Sequence, residues 1–201
     1  MALTLLRLLL VPVFLGLLIL AAPPRQGMVP SHDHPWRWLA LAVLAIMAIT
    51  DTLDGYLARK LSQTSKLGTF LDPVADKILI TAAFLLLAFP RFAPAGFNIP
   101  WPILWGVYQK DICVLIGAVV VKYKIGKVEI NANLPGKFNT ATELALLLAT
   151  LLAPECIAIS PAFAADLIWS LWHLTVLATA ASGMGYSIEG ARQLRQTMKY
   201  E

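Results

Sequence analysis

Long apolar stretches broken by short polar ones dominate the pattern along the 201-residue chain. Six hydrophobic segments stand out, at about 3–22, 36–58, 74–93, 101–121, 138–154 and 163–185. Each approaches the roughly 20 residues that an α-helix needs to cross a bilayer. The pattern therefore predicts an all-α, polytopic membrane protein with six transmembrane helices. The first segment has an alternative reading as a signal peptide, since Arg7 precedes an apolar run ending at Ala21-Ala22. Arg7 lies within the apolar pattern rather than ahead of it, and five more segments follow, which favours a span. No repeat, low-complexity tract or soluble domain interrupts the series, so residues 1–201 are expected to form a single membrane domain.

Composition agrees: 58% of residues are hydrophobic and only 14% are charged, where a soluble domain has roughly 25% charged residues. Cys113 and Cys156 make neither a disulfide framework nor a metal spacing and are read as apolar fillers. The distribution of basic residues says more than their sum. With six spans and both termini in the cytoplasm, the inner side holds Arg7, Arg59, Lys60, Lys66, Lys77, Lys122, Lys124, Lys127, Lys137, Arg192, Arg195 and Lys199. The outer side holds Arg25, Arg37 and Arg91, and Lys110 falls within the fourth segment. This positive-inside bias predicts N-in and C-in topology.

Against that background the stretch DTLDGYLARKLSQTSKLGTFLDPVADK, residues 51–77, is anomalous, with Asp51, Asp54, Asp72 and Asp76 in one short span. Asp51 and Asp54 share a helical face, with the small residues Gly55 and Ala58 near the same stripe. Asp72-Pro73 reads as a helix start, with Asp72 as cap and Pro73 at the first helical position. Asp76 follows one turn later. A short polar link then makes an antiparallel hairpin that brings the two carboxylate pairs together. Four clustered carboxylates cannot all stay ionised without compensation, and acids near a membrane interior are expensive and usually functional. An oxygen-only donor set without His or Cys suits hard divalent cations such as Mg²⁺, Mn²⁺ or Ca²⁺. Two such ions would balance four negative charges and suit phosphoryl chemistry. Arg59 adds a fork-shaped donor suited to phosphate oxygens. The bland alternative, in which each aspartate caps a helix or pairs with Lys60, Lys66 or Lys77, leaves the regular spacing unexplained.

Written out, the stretch is D-x2-D-G-x2-A-R-x8-G-x3-D-x3-D, filled by Asp51, Asp54, Gly55, Ala58, Arg59, Gly68, Asp72 and Asp76. It resembles the signature of the CDP-alcohol phosphotransferases at every position. The resemblance implies a dinuclear site for Mg²⁺ or Mn²⁺. Asp51, Asp54 and Asp72 would be metal ligands, and Asp76 would complete the site and act as general base. Gly55, Ala58, Arg59 and Gly68 would seat the CDP moiety. The implied substrates are CDP-diacylglycerol and an alcohol acceptor, in an integral membrane enzyme of the bacterial inner membrane whose site faces the cytoplasm. A homodimer is expected by resemblance, and no nucleic-acid partner is expected.

Two acceptors remain open. LDPVADK and TLLRLLLVP (residues 4–12) are similar to phosphatidylglycerophosphate synthases, which use glycerol 3-phosphate. QKDICVLIGAVVVKYK (109–124) and GKFNTATEL (136–144) look closer to cardiolipin synthases, which use phosphatidylglycerol. A phosphorylated acceptor needs cations, and Arg7, Lys77, Lys110 and Lys137 are the candidates, each with an alternative as interfacial anchor or structural partner. Glu143 is a buried acid in need of a partner, for which Lys110 is the candidate. The histidines of SHDHPW (31–36) are read as part of a solvated loop rather than a metal site, and His173 as packed or interfacial. KVEI and the tail RQLRQTMKY (192–200) are read as surface segments facing anionic lipid. A divalent-cation transporter is the distant alternative, and a membrane scaffold would leave the charge cluster without a role.

Overall fold

The structure is a computed structural model that describes residues 2–22, 35–61, 66–94, 97–125 and 134–197; the side chains of 2–8, 51–61, 66–76, 118, 121, 122, 124, 125 and 193–197 lie outside that description. Among the described residues the regular elements are all helices, without strands: α1 (Ala2–Ala21), α2 (Pro35–Leu61), α3 (Lys66–Ala88), α4 (Trp101–Ile125), α5 (Leu134–Leu151), α6 (Ala153–Ile159) and α7 (Pro161–Thr197). Each of the six apolar segments corresponds to one of these helices, with the fifth continued by α6.

Among the described residues, α7 is long and apolar enough to cross a membrane over Pro161–Arg192, and α5 with α6 forms a second candidate bent by 64°. Shorter apolar helical stretches occupy Leu9–Ala21, Pro35–Thr50 and Lys77–Ala88.

Two boundaries differ from those the sequence suggests. The third helix does not start at Asp72-Pro73 but at Lys66. An Asp-Pro pair is a strong local start signal, yet here the helix forms ahead of the proline, whose missing N–H costs one hydrogen bond to the carbonyl of residue 69. Gly68, Asp72 and Asp76, each four residues apart, are thereby carried on one face of a single helix. The fifth segment is broken rather than continuous, because Pro154 occupies the first turn of α6. At the other end of α3, a turn closes with Ile99 N–H donating to the Leu87 carbonyl at 3.0 Å.

Two compact units divide the chain: Met1–Ile99 with Leu147–Ala164, and Pro100–Leu146 with Ala165–Glu201. In the first, α1 packs against both α2 and α3. Phe14, Ala40, Leu44, Met47, Phe84 and Leu87 are buried there. The guanidinium of Arg37, buried near the start of α2, donates from Nη1 to the Leu151 carbonyl at 2.8 Å and to Glu155 Oε2 at 2.6 Å. Its Nη2 donates to Glu155 Oε1. The last carbonyl of α5 and the first turn of α6 are thus held by one side chain. In the second unit, Ile103, Leu104, Val107, Leu146, Ile168 and Ala178 are buried.

Candidate active site

The motif residues all fall in the first unit. Helical register places Asp51, Asp54, Gly55, Ala58 and Arg59 along one side of α2, at offsets of three, four, seven and eight residues. Gly68, Asp72 and Asp76 line one side of α3. Because both helices use α1 as common partner, the eight motif positions sit on two elements of one packed unit. The side chains of all eight, and that of Arg7 on α1, lie outside the described set. Lys77, next along α3, is half-buried. Among the described side chains, no group of three His, Cys, Asp or Glu is placed to hold a metal. The donor chemistry of the four aspartates, all hard oxygen, fits divalent cations and no softer metal.

A second polar cluster lies in the other unit. Lys110, 8% exposed on α4, directs its ammonium to Asp111 Oδ1 at 3.0 Å and to Glu143 Oε1 at 3.4 Å. Glu143 on α5 is fully buried, and the partner anticipated for it, Lys110, is among those it has. The same Oε1 accepts from Asn139 Nδ2 at 2.6 Å. Asn139 Oδ1 in turn accepts from Thr179 Oγ1 on α7 at 2.9 Å. Asn139 is therefore committed at both ends of its amide. Thr142 Oγ1 donates to the Asn139 carbonyl at 2.8 Å, which fastens the same turn of α5. Gly183 on α7 lies beside the lysine stem: a Cβ there would stand 3.5 Å from Lys110 Cγ, at ordinary van der Waals distance. Thr175 and Ser182 share the Thr179 side of α7, and among the described residues their buried hydroxyls have no hydrogen-bond partner. Lys137, near the start of α5, is exposed, as an interfacial anchor or a ligand contact requires.

Of the remaining candidates, His173 packs its ring 5.9 Å from that of Trp169, with Nδ1 at 2.7 Å from the Trp169 carbonyl. His173 is itself exposed and stacks on a neighbour of its own helix, within the packed or interfacial role expected of it. His32, His34, KVEI and the end of the tail, 198–200, lie outside the described residues.

Sequence reasoning missed the Arg37–Glu155 pair, having counted Arg37 only as an outer-side cation. The available signal was that an arginine and a glutamate bordering apolar segments each need a partner.

Comparison with known proteins agrees with the motif. The model of the CDP-alcohol phosphatidyltransferase family matches residues 1–180. A CDP-diacylglycerol–glycerol-3-phosphate 3-phosphatidyltransferase from Bacillus subtilis is 36% identical over 186 residues, covering 91% of this chain and 90% of the relative. A probable phosphatidylglycerophosphate synthase from Mycobacterium tuberculosis is 30% identical across 97% of this chain and 84% of its own. A cardiolipin synthase (CMP-forming) from Homo sapiens is 30% identical over 78% of this chain, which spans 54% of that protein. Enzymes of this family generally depend on divalent metal ions. With the full aspartate signature carried on two helices of one packed unit and the family match extending over most of its length, the chain belongs to the CDP-alcohol phosphatidyltransferase family.

Proposed function

We propose that the protein transfers the phosphatidyl group of CDP-diacylglycerol to glycerol 3-phosphate, giving phosphatidylglycerophosphate and CMP. The observation that carries this reading is the eight-position motif borne by α2 and α3. The near full-length similarity to the Bacillus subtilis glycerol-3-phosphate phosphatidyltransferase supports the choice of acceptor. On this reading the chain is an integral protein of a bacterial inner membrane, with six spans, both termini inside and the site facing the cytoplasm. Residues 1–201 form a single catalytic membrane domain on this reading, and the protein works as a homodimer.

Asp51, Asp54, Asp72 and Asp76 would hold two divalent cations, Mg²⁺ or Mn²⁺. When bound, such ions supply charge neutralisation for the pyrophosphate and its leaving group. Gly55, Ala58 and Gly68 leave space beside the backbone for the cytidine diphosphate, and Arg59 offers two parallel N–H donors to phosphate oxygens. The carboxylate of Asp76 takes the proton from the acceptor hydroxyl. The acceptor oxygen then bonds to the phosphorus that carries diacylglycerol. The bond from that phosphorus to the bridging oxygen breaks, and CMP leaves with the electron pair. Arg7, Lys77, Lys110 and Lys137 are the cations available to the acceptor's phosphate.

A second reading, cardiolipin synthesis from phosphatidylglycerol, is favoured by the VLIGAVV stretch of α4 and by the human relative. Purified enzyme given CDP-diacylglycerol with each acceptor in turn distinguishes them. The proposal expects phosphatidylglycerophosphate from glycerol 3-phosphate; cardiolipin as sole lipid product would overturn it.

A further inference from the structure

The bend between α5 and α6 lies inside the first unit, between Leu151 and Ala153. On the six-span reading, α5 crosses the bilayer from inside to outside. Its 18 residues rise ~27 Å, which nearly exhausts a hydrocarbon core of about 30 Å. Where that length ends, α6 turns away by 64°. A spanning helix tilts by about 20° on average, so the bend leaves α6 strongly inclined to the bilayer normal. Its 7 residues add only ~10 Å of helix, less than half of it along the α5 axis. α6 begins inside the fold and ends outside it. Ala153 and Pro154 are buried, Glu155, Cys156 and Ile157 half-buried, and Ala158 and Ile159 exposed. Ile159 is 81% exposed and Phe163, in the first turn of α7, 51%. The start of α6 is fastened to α2, where Arg37 grips Glu155, the one charged side chain of α6. On either side of Arg37, Trp36 and Trp38 are exposed, and tryptophan near a helix end is characteristic of the membrane–water boundary. The backbone at the two breaks is closed locally. Cys156 N–H donates to the Leu152 carbonyl at 3.1 Å, Ser160 N–H to the Cys156 carbonyl at 2.9 Å and Phe163 N–H to Ser160 Oγ at 3.3 Å. Pro154 and Pro161 have no N–H to satisfy. These groups are met without water, as depth in a bilayer requires.

We propose that α6 and the first turn of α7 form an interfacial anchor, whose tip of Ile159 and Phe163 inserts at the outer headgroup–acyl boundary of the bilayer. This rests on the reading of six spans with both termini inside. The partner is the lipid surface itself. Depth selects it, because α5 runs out of hydrocarbon where α6 begins, and Trp36 and Trp38 of the same unit mark that level. Chemistry selects it too, because residues 156–164 carry no charged side chain for a protein partner to meet. Arg37 holds the first turn of α6 to α2, so the apolar tip projects from a fixed base.

The test uses the full chain in phospholipid vesicles, with Cys113→Ala and Cys156→Ala removing the native thiols. A nitroxide is attached to Ile159→Cys, Phe163→Cys or Val13→Cys, one at a time. Val13, exposed midway along α1 in the same unit, is the reference for the hydrocarbon core. All three positions are exposed, so the labels leave the packing intact. Collisions with oxygen, which partitions into lipid, and with a water-soluble nickel chelate report depth. The labels at Ile159 and Phe163 are expected about 5–10 Å into the headgroup–acyl boundary, favouring oxygen over nickel, with the label at Val13 deeper still. Their spectra should not change when labelled protein is diluted with unlabelled. Nickel access at Ile159 and Phe163 equal to that of a free label in water would overturn the proposal, as would a depth equal to that of Val13. Spin–spin broadening at Ile159 that dilution removes would assign the tip to a second copy and overturn it as well. A label at Val13 open to nickel would instead defeat the six-span reading beneath it.

Discussion

Arg37 and Glu155 are 118 residues apart in sequence, yet the guanidinium of the first grips both carboxylate oxygens of the second. Arg37 is 1% exposed and Glu155 20% exposed. The same guanidinium also donates to the Leu151 carbonyl, one of the groups left open where α5 ends. The break between α5 and α6 is thus closed by a side chain from α2.

Removing one member of such a pair strands the other in a poorly solvated place. Arg37→Met is expected to destabilise by about 3 kcal/mol, the lower end of the range for a broken buried pair because Glu155 keeps some solvent. Arg37→Met/Glu155→Gln should recover most of that loss. Thermal unfolding in detergent, with the singles and the double side by side, reads this coupling. Strict additivity of the two single effects would show that the pair does not hold the break.

Asn139 gives a second test, because its amide serves Glu143 at one end and Thr179 at the other. Asn139→Leu keeps the volume but leaves a buried carboxylate and a buried hydroxyl without this partner, at a cost of about 1–3 kcal/mol. Thr179→Val, which removes only the hydroxyl, should cost less. Equal stability of Asn139→Leu and wild type would mean that these two hydrogen bonds contribute nothing.

At Gly183 the expected outcome depends on size. A methyl group there meets Lys110 Cγ at ordinary van der Waals distance, 3.5 Å. Gly183→Ala should therefore be neutral, or stabilising by up to about 1 kcal/mol through helix propensity. Gly183→Leu has to displace the lysine stem and should destabilise by about 1–3 kcal/mol. Matched unfolding midpoints for the alanine and leucine variants would contradict this packing.

Much of this architecture was legible because bilayer-length apolar runs are a strong signal, and each run corresponds to helix in the structure. Local signals served less well where tertiary context competes with them. Asp72-Pro73 carries every mark of a helix start, yet α3 already runs from Lys66. The partner of Glu143 could be anticipated, since a lone buried acid on one helix calls for a cation on another. The part played by Asn139 could not, because an amide near a helix entry is equally suited to a ligand. Nor could Arg37 and Glu155 be paired, since nothing local to either residue announces a contact between distant parts of the chain. The eight-residue motif was legible for a different reason: its chemistry is written in short, fixed offsets that helical register alone brings to one face.

The metal reading predicts a sharp dependence on divalent ions. Chelation by EDTA should abolish CMP release, and added Mg²⁺ or Mn²⁺ should restore it. Asp51→Asn, Asp54→Asn or Asp72→Asn should each lower kcat/KM by at least about a hundredfold, the scale on which lost electrostatic stabilisation is felt. Full activity in EDTA would remove the metals from the account.

The most direct measurement combines acceptor identity with the proposed base. Wild type and Asp76→Asn, each purified and supplied with CDP-diacylglycerol and Mg²⁺, are given glycerol 3-phosphate, and lipid product and CMP are quantified together. Wild type should yield phosphatidylglycerophosphate and CMP in equal amounts, while Asp76→Asn should lose at least about a hundredfold in rate, the lower end of what a general base contributes. Undiminished turnover by Asp76→Asn, or a wild type that makes no phosphatidylglycerophosphate, would contradict the proposed mechanism.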